Sequence, residues 1–248
     1  MSELVLSLFP GIGLLDMAFE EEGFCVVRGP DLLWGGDIRE FHPPAGKFDG
    51  VIGGPPCQAF SRLRNIVIAN GYQLAENLIP EFERCVAEAA PEWFLMENVP
   101  DAPLPQSTIH SIQSVMLRDV WCGGETSRLR RFTFGSFYPR KFHIETLALS
   151  RPDPERAVTC DMRQIPVALL KGGKPKRGVW KGHLPRTGKK ESLSEMCRLQ
   201  GLPEDFLVDA ILTSSGKAKA VGNGVPLPMG RAVAKAVKAA LQQKERAE

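Results

Sequence analysis

None of the six cysteines, at positions 25, 57, 85, 122, 160 and 197 of this 248-residue chain, stands in a CxxC pair. That scatter argues against a zinc site and against a disulfide framework, so no metal is expected. Reduced thiols in a cytoplasm-like compartment are the simplest reading. No apolar run approaches the ~20 residues of a membrane span, and no membrane partner is expected. The opening MSELVLSLFPGIG lacks the basic region of a secretory signal. No internal repeat is evident. What is present, 43% hydrophobic and 24% charged residues, is ordinary for a soluble globular protein. The length suits one large domain or a domain with a small satellite.

The formal net charge of +2 hides a division. Residues 1–138 hold 10 Lys/Arg against 18 Asp/Glu, whereas residues 139–191 hold 13 against 5. A basic insert in an otherwise acidic-to-neutral chain is the footprint of a nucleic-acid contact surface, or else a solvated lysine-rich loop.

Strand and helix patterns alternate along the first half. ELVLSLF (3–9), CVV (25–27), FDGVIGG (48–54), EWFLMENV (92–99) and RRFTFGSF (130–137) read as strands. LLDMAFEEEGF, AENLIPEFERCVAEAA (75–90) and STIHSIQSVMLRDV (107–120) read as helices, with Pro80 an awkward member of the second. The alternation points to a doubly wound parallel sheet in an α/β fold. From about residue 139 prolines, glycines and lysines mix without periodicity, which predicts a small loop-rich lobe with short strands. SLSEMCRLQG (192–201) reads as a short helix, and MGRAVAKAVKAALQQKERAE (229–248) as an amphipathic one.

Several residues fall just past predicted strand ends. FPGIG, with glycines at 11 and 13 opening a helix, has the arrangement of a loop under a nucleotide-like ligand, or else of a plain strand-to-helix turn, which is the commoner case. Asp31 and Asp37 sit near the ~20-residue offset at which a ribose-holding acid is expected. In VIGGPPCQAFS (51–61) the glycines permit close backbone approach, and Pro55 and Pro56 stiffen the turn. A cysteine after an apolar strand is ordinarily a buried small hydrophobe; such stiffness instead suits a thiol that must be aimed. Glu97 follows FLM, where a carboxyl is costly to bury without a partner. Desolvation there favours the proton-donating form of the acid. Arg128 and Arg130, at alternate positions leading into a strand, are expected to face one side and to suit an anion or an electron-rich carbonyl. Open sheets bind ligands at the carboxyl ends of their strands, so these groups should share one rim.

SLFPGIG, GGPPCQAFS, FLMENVP, SRLRRFTFG, LSEMCRLQGLPEDF and VGNGVPLPMGRAVAKAV, in that order, resemble the C5-cytosine-specific DNA methyltransferases of bacteria and phages. The likeness covers residues 4–240 except the insert 140–188. It implies a Rossmann-like methyltransferase sheet with a small target-recognition lobe. The catalytic domain, which binds S-adenosyl-L-methionine, would span 1–138. The lobe would span 139–215, with a variable insert at about 140–188 followed by the LSEMCRLQG helix. A segment at 216–248 would return to the catalytic domain. By the same resemblance Cys57 would attack C6 of a cytosine flipped out of duplex DNA, and Glu97 would hold N3 and protonate the ring. Arg128 and Arg130 would steady the base at its carbonyl and the catalytic loop, and their positive charge would favour the Cys57 thiolate.

Phe9, Gly11, Gly13, Asp31, Asp37, Pro56, Asn223 and Val225 would line the cofactor site. Ser61, Arg62 and Arg64, in a loop closing on DNA, and Lys174, Lys176 and Arg177, in the insert, would bind the DNA. The implied protein is a cytoplasmic, DNA-associated monomer of a bacterial or phage-infected cell, with a cognate restriction endonuclease as a further partner. Ser7 stands where the family usually has Asp, Leu14 where a second glycine is common, and Thr126 where a Gln is usual. A noncatalytic nucleic-acid binder with a methyltransferase fold, and an RNA cytosine-5 methyltransferase, are the alternatives.

Overall fold

A computed structural model describes residues 2–57, 60, 76–147, 155, 157–158 and 192–243. Six strands form one sheet: β1 (Leu4–Leu8), β2 (Cys25–Arg28), β3 (Gly50–Gly53), β4 (Trp93–Asn98), β5 (Ser111–Arg118) and β6 (Leu129–Ser136), in the order β2-β1-β3-β4-β6-β5. The first four are parallel; β6 runs antiparallel to β4, and β5 antiparallel to β6. The helices are α1 (Leu14–Glu21), α2 (Ile79–Ala89), α3 (Leu193–Leu199), α4 (Ser214–Asn223) and α5 (Leu227–Leu241).

Alternation along the central strands decides which helix covers which face. On β4, Trp93 and Leu95 join the cluster that contains Leu14, Ala18 and Phe19 of α1 and Val233 and Val237 of α5. Phe94 and Met96 turn to the other face and meet Phe82 and Val86 of α2. A strand covered on both faces is apolar throughout, and all of β4 is buried. Each large apolar side chain buried there stabilises the fold by roughly 1.5–3 kcal/mol. Pro80 is no obstacle to α2, because it lies in the first turn, where its missing N–H has no helical partner to lose.

Two expectations are corrected. Residues 107–120 are not helical: Ser111–Arg118 is the outer strand, registered residue by residue on β6 from Ser111↔Ser136 to Arg118↔Leu129. Its apolar residues at 109, 112, 115, 116 and 120 mimic a helical period because an outer strand need not alternate cleanly. The sheet is consequently mixed rather than wholly parallel. In addition α4 was not foreseen, since its Gly-, Ser- and Lys-rich sequence carries little amphipathic signal; its start is set by Thr213, whose hydroxyl accepts from the Gly216 N–H at 3.1 Å. Helix α3, grouped above with the small lobe, buries Met196, Cys197 and Leu199 in the same cluster as α1 and α5. Most of the basic insert, residues 159–191, lies outside the described residues.

Candidate active site and cofactor rim

The turn after β3 is tightly set. A Cβ on Gly53 would lie 2.8 Å from the Leu8 carbonyl oxygen, and one on Gly54 would lie 3.1 Å from Glu97 Oε2. The glycines therefore let the turn press against both neighbouring strands. The buried Asn98 side chain donates to the Pro55 carbonyl at 3.2 Å, and the Phe60 N–H to the Cys57 carbonyl at 3.0 Å. Cys57 is thus held on a braced turn, half-buried, with a free thiol.

Glu97 does not stand alone. Its Oε1 receives Arg130 Nε at 2.7 Å, with side chains only 11% and 16% exposed. The reversed direction of β6 makes this meeting possible, because it brings the start of β6 to the end of β4, where Glu97 registers on Phe132. Burial, and then the Glu97 charge, hold the Cys57 thiol above its ordinary value; Arg130 and Arg128 offset this only in part. The arginines favour the thiolate, as expected, but burial and the Glu97 charge outweigh them in the resting protein.

The two arginines part company. Arg130 Nη1 donates to the Leu129 carbonyl at 2.8 Å while Nε holds Glu97. Arg128, 4% exposed, precedes the strand and donates through Nη1 to the carbonyls of Val158 and Gly222, each at 3.0 Å. The strand begins at Leu129, so alternation does not govern both side chains.

The first loop lies at the same rim. Phe9 (φ 56°) and Gly11 (φ 56°) and Gly13 (φ 83°) all take the left-handed region. For Phe9 that conformation costs of the order of 1 kcal/mol, which surrounding bonds must sustain. They do: the Gly11 N–H donates to Asp31 Oδ2 at 2.9 Å, and Trp34 Nε1 to the Gly11 carbonyl at 2.7 Å. Asp31 Oδ1 accepts the Leu33 N–H at 2.7 Å. Asp31 thus spans the loop and the turn after β2. Asp37, on the surface, is paired with Arg39 at 2.5 Å, which holds its carboxyl down at about 2. Pro56 is half-buried and Asn223 exposed at the end of α4. Val225 is buried, and a Cβ on neighbouring Gly224 would lie 2.9 Å from Leu14 Cδ2, so the late segment closes on the start of α1. Ser61, Arg62, Arg64, Lys174, Lys176 and Arg177 lie outside the described residues.

Sequence reasoning missed other groups at the rim. Trp34 is 63% exposed despite its bond to the first loop, an indole face beside Gly11. The buried Asp16 accepts the Ser7 hydroxyl at 2.5 Å and Arg28 Nε at 3.0 Å, so an acid does stand beside position 7, supplied from α1. Burial pushes its carboxyl up. The buried Gln200 side chain donates to the carbonyls of Val221, at 2.6 Å, and Gly224, at 3.1 Å, fixing the late segment. The only advance signal for these was position: each lies in or beside a stretch already singled out.

Residues 34–116, which include the Cys57 turn, Glu97 and Asp37, match the family model of the C-5 cytosine-specific DNA methylases. Over this stretch the chain is similar to the C-5 cytosine-specific DNA methylases. It is 36% identical over 114 residues to the type II methyltransferase M.FnuDI of Fusobacterium nucleatum, covering 38% of this chain and 32% of that protein. It is 34% identical over 116 residues to the type II methyltransferase M.NgoPII of Neisseria gonorrhoeae, covering 38% and 33%. The matched part of the chain spans about a third of the length of these two relatives. The fold extends further than the sequence likeness: the Entamoeba histolytica methyltransferase EhMeth superposes with a TM-score of 0.65 at 13% identity, covering 98% of this chain and all (100%) of that one. The S. pombe Dnmt2 methyltransferase gives 0.58 at 13% identity, covering 96% and 99%. The Rossmann-like methyltransferase fold is therefore that of this chain. Among the described residues no helix is long and apolar enough to cross a membrane.

Proposed function

We propose that the protein is an S-adenosyl-L-methionine-dependent DNA (cytosine-5-)-methyltransferase. The observation that carries this reading is the convergence at one sheet rim of a braced cysteine turn and a buried Glu97–Arg130 pair, with Gly54 pressed against the carboxyl. A general packing role for Cys57 explains neither the brace nor the ion pair.

The rim residues fit the cofactor. The exposed Trp34 indole offers a face for adenine and Asp37 an acceptor for its amine; Phe9, Gly11 and Gly13 form a left-handed loop at the start of α1. Bound there, the cofactor supplies the methyl group. Cys57 Sγ, once it has lost its proton, adds to C6 of the flipped cytosine, and the electron pair shifts toward C5 and N3. Glu97, which Arg130 Nε holds in place, takes up a proton as the cytosine enters and passes it to N3. After methylation at C5, the C5 proton leaves to water, the Cys57 sulfur departs as thiolate, and N3 returns its proton to Glu97, which restores the neutral ring. The braced turn keeps the sulfur within bonding range of the carbon, where a displacement of about 1 Å can lower the rate by ~100-fold. Duplex DNA is the proposed substrate, with the basic insert as its contact surface; a restriction endonuclease is its proposed companion. Incubation with tritiated cofactor and duplex DNA tests the reading. Label should enter DNA with wild type, and with Cys57→Ser it should not, while cofactor binding persists. Transfer by C57S at the wild-type rate, or to RNA in preference to DNA, would refute it.

A further inference from the structure

Arg128 is 4% exposed, and its Nη1 donates to two main-chain carbonyls. One carbonyl, of Val158, lies on the approach to residues 159–191; the other, of Gly222, lies in the last turn of α4 just before Asn223. These acceptors are 30 and 94 residues away in sequence. Neighbouring bonds tie the same pieces together. The Ser127 N–H donates to the Glu155 carbonyl at 2.8 Å, and the Glu155 N–H to the Glu125 carbonyl at 2.9 Å. Arg198 of α3 grips both Glu125 carboxylate oxygens at 2.7 Å. Thr126 is anchored through its own N–H and hydroxyl to the buried Asp119 carboxylate, at 2.9 and 2.7 Å.

We propose that Arg128 is a positioning residue: its guanidinium locks the approach to the basic insert and the end of α4 onto the turn that launches β6, and it does not touch the extruded base. Nη1 carries two N–H groups in the plane of the guanidinium, one for each carbonyl, so a single nitrogen joins the two segments. The strand so launched carries Arg130, two residues on, which holds Glu97. The lock therefore ties Val158, the residue from which the insert departs, to the strand that carries Arg130. The inference rests on the DNA methyltransferase reading above.

The test is a pool of duplexes randomised around a central cytosine, incubated with cofactor and wild type, R128K, R128M or E125Q, and read by bisulfite sequencing beside kcat and KM. A lysine keeps the charge but is one atom shorter, so its Nζ falls short of the Nη1 position between the two carbonyls, and E125Q weakens the junction from its half-exposed side. With R128K we expect KM for DNA to rise about tenfold and methylation to spread to poorer flanking sequences, while kcat falls by less than about threefold. E125Q should move KM and flank preference the same way by a smaller factor. A fall in kcat with unchanged flank preference in R128K overturns the inference, because a base-contacting arginine acts on the chemical step. Should R128M fail to fold, R128K and E125Q decide alone, and an unchanged flank pattern in both also overturns it. Absence of methylation by wild type on every duplex would sink the methyltransferase reading and this inference with it, an outcome distinct from active enzyme with unaltered preference.

Discussion

Replacing Arg130 by Met tests the central ion pair while keeping most of the side-chain volume. The pair is short, 2.7 Å, and its members are 16% and 11% exposed, so solvent screening is weak. With charge centres about 4 Å apart and an effective dielectric of about 20, the attraction is about 4 kcal/mol. The net loss on removing one partner of a buried pair is about 3–5 kcal/mol, because the remaining carboxyl stays desolvated. For a protein of this size that corresponds to a fall in Tm of roughly 6 to 20 °C. Arg130→Met, Glu97→Gln and the double variant should be compared by denaturant unfolding. The double variant should recover much of the loss, giving a coupling of at least about 2 kcal/mol. Additive effects, or a loss under about 1 kcal/mol in R130M, would refute the claim that the pair is buried and interdependent.

The other expected outcomes concern binding and pH. Trp34→Ala should weaken cofactor binding by about tenfold, in line with ~1–3 kcal/mol for an aromatic platform under a base; because the indole is mostly exposed, Tm should stay within a few degrees, and a cofactor titration that leaves Kd unchanged would remove Trp34 from the site. His110 is buried between Phe94 and Phe137, with Nε2 3.0 Å from the Pro91 carbonyl and Nδ1 2.8 Å from the Ser107 hydroxyl. Burial lowers its pKa below the ordinary 6.5, so the folded protein binds fewer protons there than the unfolded chain. Stability should hold above that value and decline as pH falls through it. His110→Gln should flatten this decline, and an identical pH slope in that variant would show that other groups cause it.

Much of this arrangement is legible in the amino-acid sequence. The strand, left-handed loop and helix at 4–21, the stiff Cys57 turn and the carboxyl after FLM each announce themselves through local composition, because glycine, proline and an acid after apolar residues have few other uses. Residues 107–120 mislead because a strand on the outside of a sheet is relieved of strict alternation. The division between Arg128 and Arg130 is hidden for a related reason: where a side chain points depends on where its strand begins, and the strand begins between them. Trp34, Asn98 and Asp16 are invisible because each acquires its task from a partner 9 to 43 positions away, as when Asn98 reaches Pro55. The basic insert is read from charge alone.

The reversed direction of β6 carries a consequence for how such a protein diversifies. Because β6 sets out from the reactive side and ends at the opposite one, the polypeptide must travel back the full depth of the molecule before residue 158. The return leaves traces: the Lys141 N–H on Gln243, the Phe142 N–H on Gln113, the Leu147 N–H on the Trp121 carbonyl and finally Val158 on Arg128. Whatever follows is hung from a stem already seated in the interior through Phe142, Ile144 and Val158. A change of length beyond Val158 is therefore expected to leave β6 and the Glu97–Arg130 pair where they stand.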